Sequence, residues 1–579
     1  MSQSTYYIGV DVGTGSVRAG LVKPDGTIVA SFTEETITWR DEEDHRIFEQ
    51  STNDIWTGMC KVIKACLKEA NVQPSEVKGI GFDATCSLAV ADQNGEPVVV
   101  TKGDQLGQNG DRNIILWADH RAEKEADLIN STGSVVLDYV GGTMSLEMEI
   151  PKTLWLKRNT KAELFKRCQF FDLPDFLTYR ATGYNHRSCC SVACKCSFVP
   201  IKGGWQPEFF KKIGLEEFVE NEFSQLGKEE VLTAGMPVGN GLSKKAAEET
   251  GLVEGTPVGS GVIDAYAGWL GTVAARYKVQ GKLSDVVPSL DESRHRLAAV
   301  AGTSTCHIVQ SPEGVFVNGV WGPYKDVVFP GWWMNEGGQS STGQLIDFMI
   351  TTHSAYPRLK ELAQQRDTNI HDVLHDELER LREEKKAENL TELTKDLHFY
   401  PDLHGNRSPL ADPRMTGSIV GLQLDSGLTD LARKFNVTME AIALQTRHIV
   451  DQMNAKGHTI RSIYMSGGQA KNAMLMQLFA NTCGVPVVLP ESSGAAVVLG
   501  AAMLGRFAAE AQIRKEKLAR EQRGQALWEI MVEMTPAGTM VEPAASPKEK
   551  KLLEAKYKIF LEAIDIQRRW RKEMEEASQ

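Results

Sequence analysis

Residues 8–22 read IGVDVGTGSVRAGLV. Ile8, Val10 and Val12 alternate with Gly9, Asp11 and Gly13, and Val17, Ala19 and Leu21 alternate again further on. The period predicts two strands joined by the turn Gly13-Thr14-Gly15-Ser16. A turn without bulky side chains lets backbone N–H groups approach a phosphate closely, with hydroxyls beside them. Asp11 stands just before it, where a carboxylate can hold Mg²⁺ directly or through water. Taken alone, the stretch is equally a glycine hairpin that turns the chain.

The chain has 579 residues. That length argues against a single core and for two or more domains. A net charge of −12 disfavours nucleic acid or an anionic membrane as partner. The opening MSQSTYY lacks the charged and apolar regions of a signal peptide. No 18-residue apolar run is read further on, so no membrane span is expected. Ten cysteines are too sparse for a disulfide scaffold. Reduced thiols and a cytoplasmic location follow.

Downstream, residues 27–34 read as a third strand and 51–70 as a helix, capped by Ser51 and carrying Asp54 in its first turn. Residues 78–85 return as a strand, and 87–92 as another. Three antiparallel-like strands, a helix and a strand suggest a ribonuclease-H-like α/β unit. The strand end Ala84-Thr85 is small and offers a hydroxyl, which suits a ligand or a buried turn. Trp117-Ala118-Asp119-His120-Arg121 combines ring, carboxylate and guanidinium, which suits a polyol. A helix start with a salt bridge reads as well. In 145–159, SLEMEIPKTLWLKRN, Lys152 lies near a helix N-terminus, where the dipole favours anions. A ligand would explain it, and so would solvent. Cys189, Cys190, Cys194 and Cys196 lack paired zinc-site spacing and read as buried or reduced thiols. In 259–271, GSGVIDAYAGWLG, Asp264 is the one charge in a small, apolar run. A carboxylate so placed needs a partner or a task. It can take a proton from a substrate hydroxyl, or cap the helix that follows.

Residues 277–296 read as a linker or surface excursion. The opening theme then recurs in 297–310, LAAVAGTSTCHIVQ, with Thr303 and Ser304 in the turn. An echo about 290 residues later suggests a duplicated architecture. Residues 335–348, NEGGQSSTGQLIDF, read as a loop running into a helix, with Glu336 before its glycines. Residues 353–400 read as a helical insertion, and 439–454 as an amphipathic helix. In 460–490, a strand, Gly467-Gly468-Gln469 and a helix over 470–482 form a junction open to an adenine or ribose, with Asn472 one turn in. Residues 494–509, GAAVVLGAAMLGRFAA, form a small-residue helix able to approach another backbone closely. Residues 510–579 form a charged helical tail. Its stripe of Leu553, Tyr557, Phe560, Leu561 and Ile564 is expected to dock on the body or on a second copy of the chain, as a homodimer. A P-loop, a Rossmann fingerprint and protein-kinase motifs are absent from the sequence.

In order, DVGTGSVRA, WADHR, EMEIPKTLWLK, GSGVIDAYAG, AGTSTC, EGGQSSTG, GSIVGL and SGGQAKN resemble the FGGY carbohydrate kinases over residues 6–510. The stretch GFDATCSLAVAD is similar to their D-ribulokinase branch. The resemblance implies an α/β protein of two ribonuclease-H-like domains, as in actin and hexokinase, around a central cleft. One domain would span 1–276 and the other 297–509. It further implies ATP and Mg²⁺, with Asp264 as general base and Asp11 placing the ion. Gly13, Thr14, Gly15, Arg18, Thr303 and Ser304 would surround the phosphates, and Gly467, Gly468, Gln469 and Asn472 the adenosine end. Ala84, Thr85, Lys152, Asp264 and Glu336 would line the sugar site, with Asp119 and Arg121 as weaker candidates. Ala84-Thr85 replaces the Arg-Glu pair of glycerol kinases. The second family signature starts at 417–422, but its helix is expected late, after an insertion near 426–439. The expected reaction is ATP-dependent phosphorylation of the terminal hydroxyl of a pentulose, D-ribulose first. L-ribulose, xylulose, ribitol and glycerol are the alternatives, and an actin- or Hsp70-like nucleotide switch is a more distant one.

Overall fold

The computed structural model describes residues 4–227, 230–279, 281–514 and 518–579. Its first sheet is built from the opening stretch: β1 (Tyr6–Val12), β2 (Ser16–Val22) and β3 (Ile28–Glu35). After α1 (Thr52–Ala70), β4 (Val77–Ala84) returns parallel to β1, and β5 (Val262–Ile263) lies parallel beyond β4. The order β5-β4-β1-β2-β3 is the ribonuclease-H-like arrangement that the sequence predicts. Ser51 caps α1 through its hydroxyl, and Asn71 ends it in the left-handed region. The apolar stripe Ile55, Met59, Ile63 and Cys66 is buried against the sheet. Within the same lobe, α2 (Glu149–Asn159) and α3 (Cys189–Lys195) precede α4 (Asp264–Leu270).

The second lobe repeats the plan in a nine-stranded sheet. Strands β6 (Tyr277–Val279) and β7 (Lys282–Leu283) form one edge. At the other, β8 (Arg296–Ala301), β9 (Thr305–Ser311) and β11 (Trp333–Gln339) run antiparallel in succession, with β10 (Trp321–Lys325) outermost. After α5 (Gly343–Thr351) and α6 (Leu428–Ala455), β12 (Ser462–Ser466) returns parallel to β8. Then α7 (Ala473–Cys483) leads to β13 (Val487–Pro490), parallel to β12. The chain continues as α8 (Ala496–Ile513), α9 (Arg520–Met534), β14 (Gly538–Val541) and α10 (Pro547–Ala577).

Several sequence expectations are revised. The excursion at 277–296 supplies β6, which pairs with β14, and β14 also pairs with β13. The tail therefore contributes a sheet strand rather than helices alone. At four residues, Gly538-Thr539-Met540-Val541, β14 is too short to show a strand period in the sequence. The stripe of α10 docks on this chain, with Tyr557, Phe560 and Ile564 against Tyr400, Met415 and Leu444. No insertion delays the signature helix. α6 already starts at Leu428, because Leu431, Ala432 and Phe435 continue the buried stripe upstream of Met439. Residues 335–339, expected as loop, are strand β11.

The lobes are joined by crossed helices. α8 leaves the second sheet and lies on the first lobe's β1 and β4, in contact with α4. A Cβ on Gly9 or Gly81 would stand 1.9 Å or 2.0 Å from a carbonyl oxygen of α8, at Val498 and Ala501. Only glycine permits that approach. Residues Ser493–Ile513 are apolar and long enough to cross a membrane by composition, but 72% of the window is buried inside the protein.

Candidate functional site

The two hairpin loops, residues 13–15 and 302–304, close β1-β2 and β8-β9 and are solvent-exposed in part. In the first, Thr14 Oγ1 accepts the Trp117 indole N–H at 3.0 Å, and its carbonyl accepts from Gln50. In the second, Gln469 Nε2 donates to the Gly302 carbonyl at 3.0 Å and to Thr342 Oγ1 at 2.7 Å. The Gln469 amide N–H group thus braces the loop. Gly467, at φ 89°, sits where a Cβ would meet the Ala301 carbonyl at 2.2 Å, so the strand–helix junction presses against β8. Arg18 reaches across the lobes to the Gly494 carbonyl at 3.1 Å and back to Asp11 at 3.4 Å.

Strand register builds an acidic centre. Asp11 in β1 is the parallel partner of Asp83 in β4, and Ile263 at the end of β5 pairs with Ala84. Side chains at matched positions of neighbouring strands leave the same face about 5 Å apart. Asp11 and Asp83 are therefore neighbours, and Asp264 follows β5 directly. Both Asp83 oxygens are buried without a hydrogen-bond partner among the described residues. Burial first, then the charges of Asp11 and Asp264, push the Asp83 carboxyl far up. Asp264 opens α4. One of its oxygens accepts from the Ala265 N–H at 2.7 Å, and the other has no protein donor among the described residues. Burial and the nearby Asp11 carboxylate raise its pKa to about 7, against the pull of the Ala265 N–H.

The next group faces this centre from the second lobe. Glu336, buried on β11, pairs through one oxygen with the Arg407 guanidinium, while its other oxygen has no partner. Arg407 lies 3.9 Å over the Trp321 ring and 3.7 Å from Glu147. Lys195, at the end of α3, points its ammonium at the same ring from 4.0 Å. Burial opposes its charge, but acidic neighbours, the Glu336 and Glu147 carboxylates among them, outweigh burial and raise its pKa. Asp264 also feels this lysine.

Four expectations change here. Lys152 is fully buried, and its ammonium donates to the Leu116 carbonyl at 3.0 Å, with those of Trp117 and Glu147 at 3.5 Å. It ties α2 to the preceding loop, whereas the buried Lys195 ammonium packs on the Trp321 ring. Asp119 and Arg121 form a buried bidentate pair, completed by Glu49, the Val100 carbonyl and the Phe48 N–H. Their donors and acceptors are spent on the fold. Asn472 is not one turn into its helix but its N-cap, accepting from the Leu475 N–H at 3.1 Å. Ala84 faces the core, and Thr85 Oγ1 turns to Ser87 at 3.1 Å. Sequence reasoning missed Asp83, Lys195 and Arg407. The signal for Lys195 was a lone cation within a small, cysteine-rich helix. All ten cysteines are free, and no group of three or more metal-binding side chains occurs among the described residues.

A cavity of about 980 Å³ opens beside the second loop, lined by Gly468, Gln469, Asn472, Phe435, Asn436 and Glu549 among others. It is large enough for a nucleoside.

Residues 6–271 match the N-terminal domain of the FGGY family of carbohydrate kinases, and 297–509 its C-terminal domain. The D-ribulokinase YDR109C of Saccharomyces cerevisiae is 46% identical over 522 residues, covering 88% of this chain and 72% of that protein. A human FGGY carbohydrate kinase domain-containing protein is 42% identical over 568 residues, covering 98% and 97%. In fold, the crystal structure of xylulose kinase from Rhodospirillum rubrum matches with a TM-score of 0.72 at 18% identity, over 98% of this chain and 99% of that one. The chain belongs to the FGGY family of carbohydrate kinases, ATP-using phosphotransferases that act on small sugars and polyols.

Proposed function

We propose that this carbohydrate kinase transfers the γ-phosphoryl group of ATP to the terminal hydroxyl of a pentulose, D-ribulose before others. The observation that carries the reading is Asp264: a carboxylate at the floor of the cleft, one oxygen free, with a pKa near 7. That is the poise a general base needs at neutral pH. Asp264 takes the proton as the sugar oxygen bonds to phosphorus and the bond to the β-phosphate oxygen breaks, releasing ADP. The loops at 13–15 and 302–304, with Arg18, hold the phosphates from both sides. Gly468, Gln469 and the N-cap Asn472 line the cavity that takes the nucleoside, and Gly467 packs behind them on β8. Glu336 and Lys195 orient the sugar hydroxyls beside Asp264.

A divalent ion fits the acidic centre, because Asp11 stands beside the orphaned Asp83 carboxyl and no donor neutralises that carboxyl. When bound, such an ion spreads the charge of the phosphoryl group in transfer. Asp11 and Asp83 would hold it, and no group of three or more metal-binding side chains occurs among the described residues.

The choice of D-ribulose rests on the 46% identical yeast protein of that name. It is tested with ATP, Mg²⁺ and a panel of D-ribulose, L-ribulose, D-xylulose, ribitol and glycerol, scored by ADP release. D-ribulose should lead in kcat/KM by about tenfold or more. A different leader overturns the substrate, and sugar-independent hydrolysis alone overturns the kinase reading.

A further inference from the structure

Arg407 comes from a part of the chain with no regular structure, residues 401–416. Yet its side chain is buried, stacked on Trp321 and paired with Glu336. Holding a guanidinium in so confined a place requires a rigid support. The segment is braced at both ends. Upstream, Asp402 accepts from Gln445 of α6 at 2.6 Å and from Asn406 at 2.8 Å. Downstream, Asp412 accepts both amino groups of Arg571 on α10, the nearer at 2.7 Å, and its carbonyl accepts from Asn406 at 3.0 Å. Arg568 of the same helix also pairs with Asp412 at 3.6 Å, and Arg414–Glu575 makes a third ion pair at 3.2 Å. The apolar face of α10 closes under the same segment through Met415.

The segment also touches the opposite lobe. The His404 ring lies 5.8 Å from that of His120, and Arg407 meets Glu147 just before α2. It therefore crosses the cleft at the sugar end.

We propose that residues 401–416 are a strap across the cleft, that Arg407 on it positions Glu336 for the sugar, and that the C-terminal helix α10 sets the strap through Asp412. Arg407 acts through Glu336 and is a positioning residue. The Arg407 pair holds one Glu336 oxygen and leaves the other without a partner among the described residues. Lysine at 407 keeps a charge for one carboxylate but cannot fork between Glu336 and Glu147 or stack flat on Trp321.

The inference rests on the sugar-kinase reading, and full-length variants test it. Arg407→Ala should raise the sugar KM about 30-fold or more, with Arg407→Lys recovering part of the loss. Asp412→Asn and Arg571→Ala, which act on the strap rather than on Glu336 itself, should each raise the sugar KM about three- to tenfold. ADP affinity by calorimetry should stay within about twofold throughout, because the strap does not border the nucleoside cavity. Thermal midpoints report folding, and Arg571→Ala stands in if Asp412→Asn does not fold. Wild-type sugar KM in Arg571→Ala, or equal losses of sugar and ADP binding, overturns the proposal. If the wild type turns over no pentulose, the substrate reading fails separately, and the strap is judged on whichever polyol of the panel is phosphorylated.

Discussion

In the N-terminal lobe, the second-last residue of β1 is Asp11, its parallel partner on β4 is Asp83, and the first residue of α4 is Asp264. In the C-terminal lobe, the corresponding positions on β8, β12 and α8 hold Val300, Ser466 and Ala496. At these three matched positions one lobe carries carboxylates and the other carries none. The difference divides the labour. An uncharged tip with hydroxyls and backbone N–H groups does not repel a polyphosphate. A carboxylate cluster does, unless a cation stands between, but it alone can accept a proton from a sugar hydroxyl. The cluster has a cost in stability, because carboxylates held close with few donors resist ionisation.

The sharpest way to break the comparison is Asp264→Asn. Sugar phosphorylation should fall about 10³–10⁴-fold with nucleotide affinity largely kept. Near-normal turnover would remove the base. The same variant probes the cost. Asp264 is raised in the folded state from 3.8 to about 7. Below 3.8 both folded and unfolded states hold the proton. Between the two values only the folded state does, so stability declines as pH rises, and above 7 the full penalty applies. Asp264→Asn should therefore raise the unfolding free energy at pH 8 by about 1–3 kcal/mol, and by little at pH 4. For the wild type, kcat/KM for the sugar should fall about tenfold per pH unit below about 7.

The shared core comes next. Gly81→Ala drives a methyl group into the Ala501 carbonyl of α8 and should cost about 2–4 kcal/mol, read as a lowered denaturation midpoint. A neutral result would mean that the lobes are not packed backbone to backbone. Asp83→Ser carries the C-terminal lobe's residue into the N-terminal one. It should weaken divalent-dependent nucleotide binding about 10–100-fold, measured as the difference in ADP affinity with and without Mg²⁺. The smallest effect belongs to the second loop: Thr303→Ala removes one exposed hydroxyl and should raise the ATP KM only a few-fold, about 1 kcal/mol.

Much of this plan is visible in residues close together along the chain. The β1 turn, the Ser51 cap, the echo at 297–310 and the small-residue helix all have local signatures. The readings that fail concern main-chain partners or distant ones. Lys152 looks ready for a ligand because carbonyls leave no trace in a sequence, and three of them hold it. Asp119 and Arg121 look like polyol contacts until Glu49, 70 residues earlier in the chain, completes their network. Lys195 and Arg407 enter the site from a short helix and an irregular segment, and only the tertiary fold brings them to Trp321. Asp83 is an acid within an apolar strand, whose partner Asp11 lies in another strand.

The crossing of α8 onto the first sheet has a consequence for biosynthesis. β4 ends at Ala84 and α8 begins at Ala496, about 400 residues later, which at ~5–20 residues per second is roughly 20–80 s of translation. Through that interval the glycine-lined back of β1 and β4 has no cover. Expressed by itself, the N-terminal half would leave the face of β1 and β4 that α8 covers open to water.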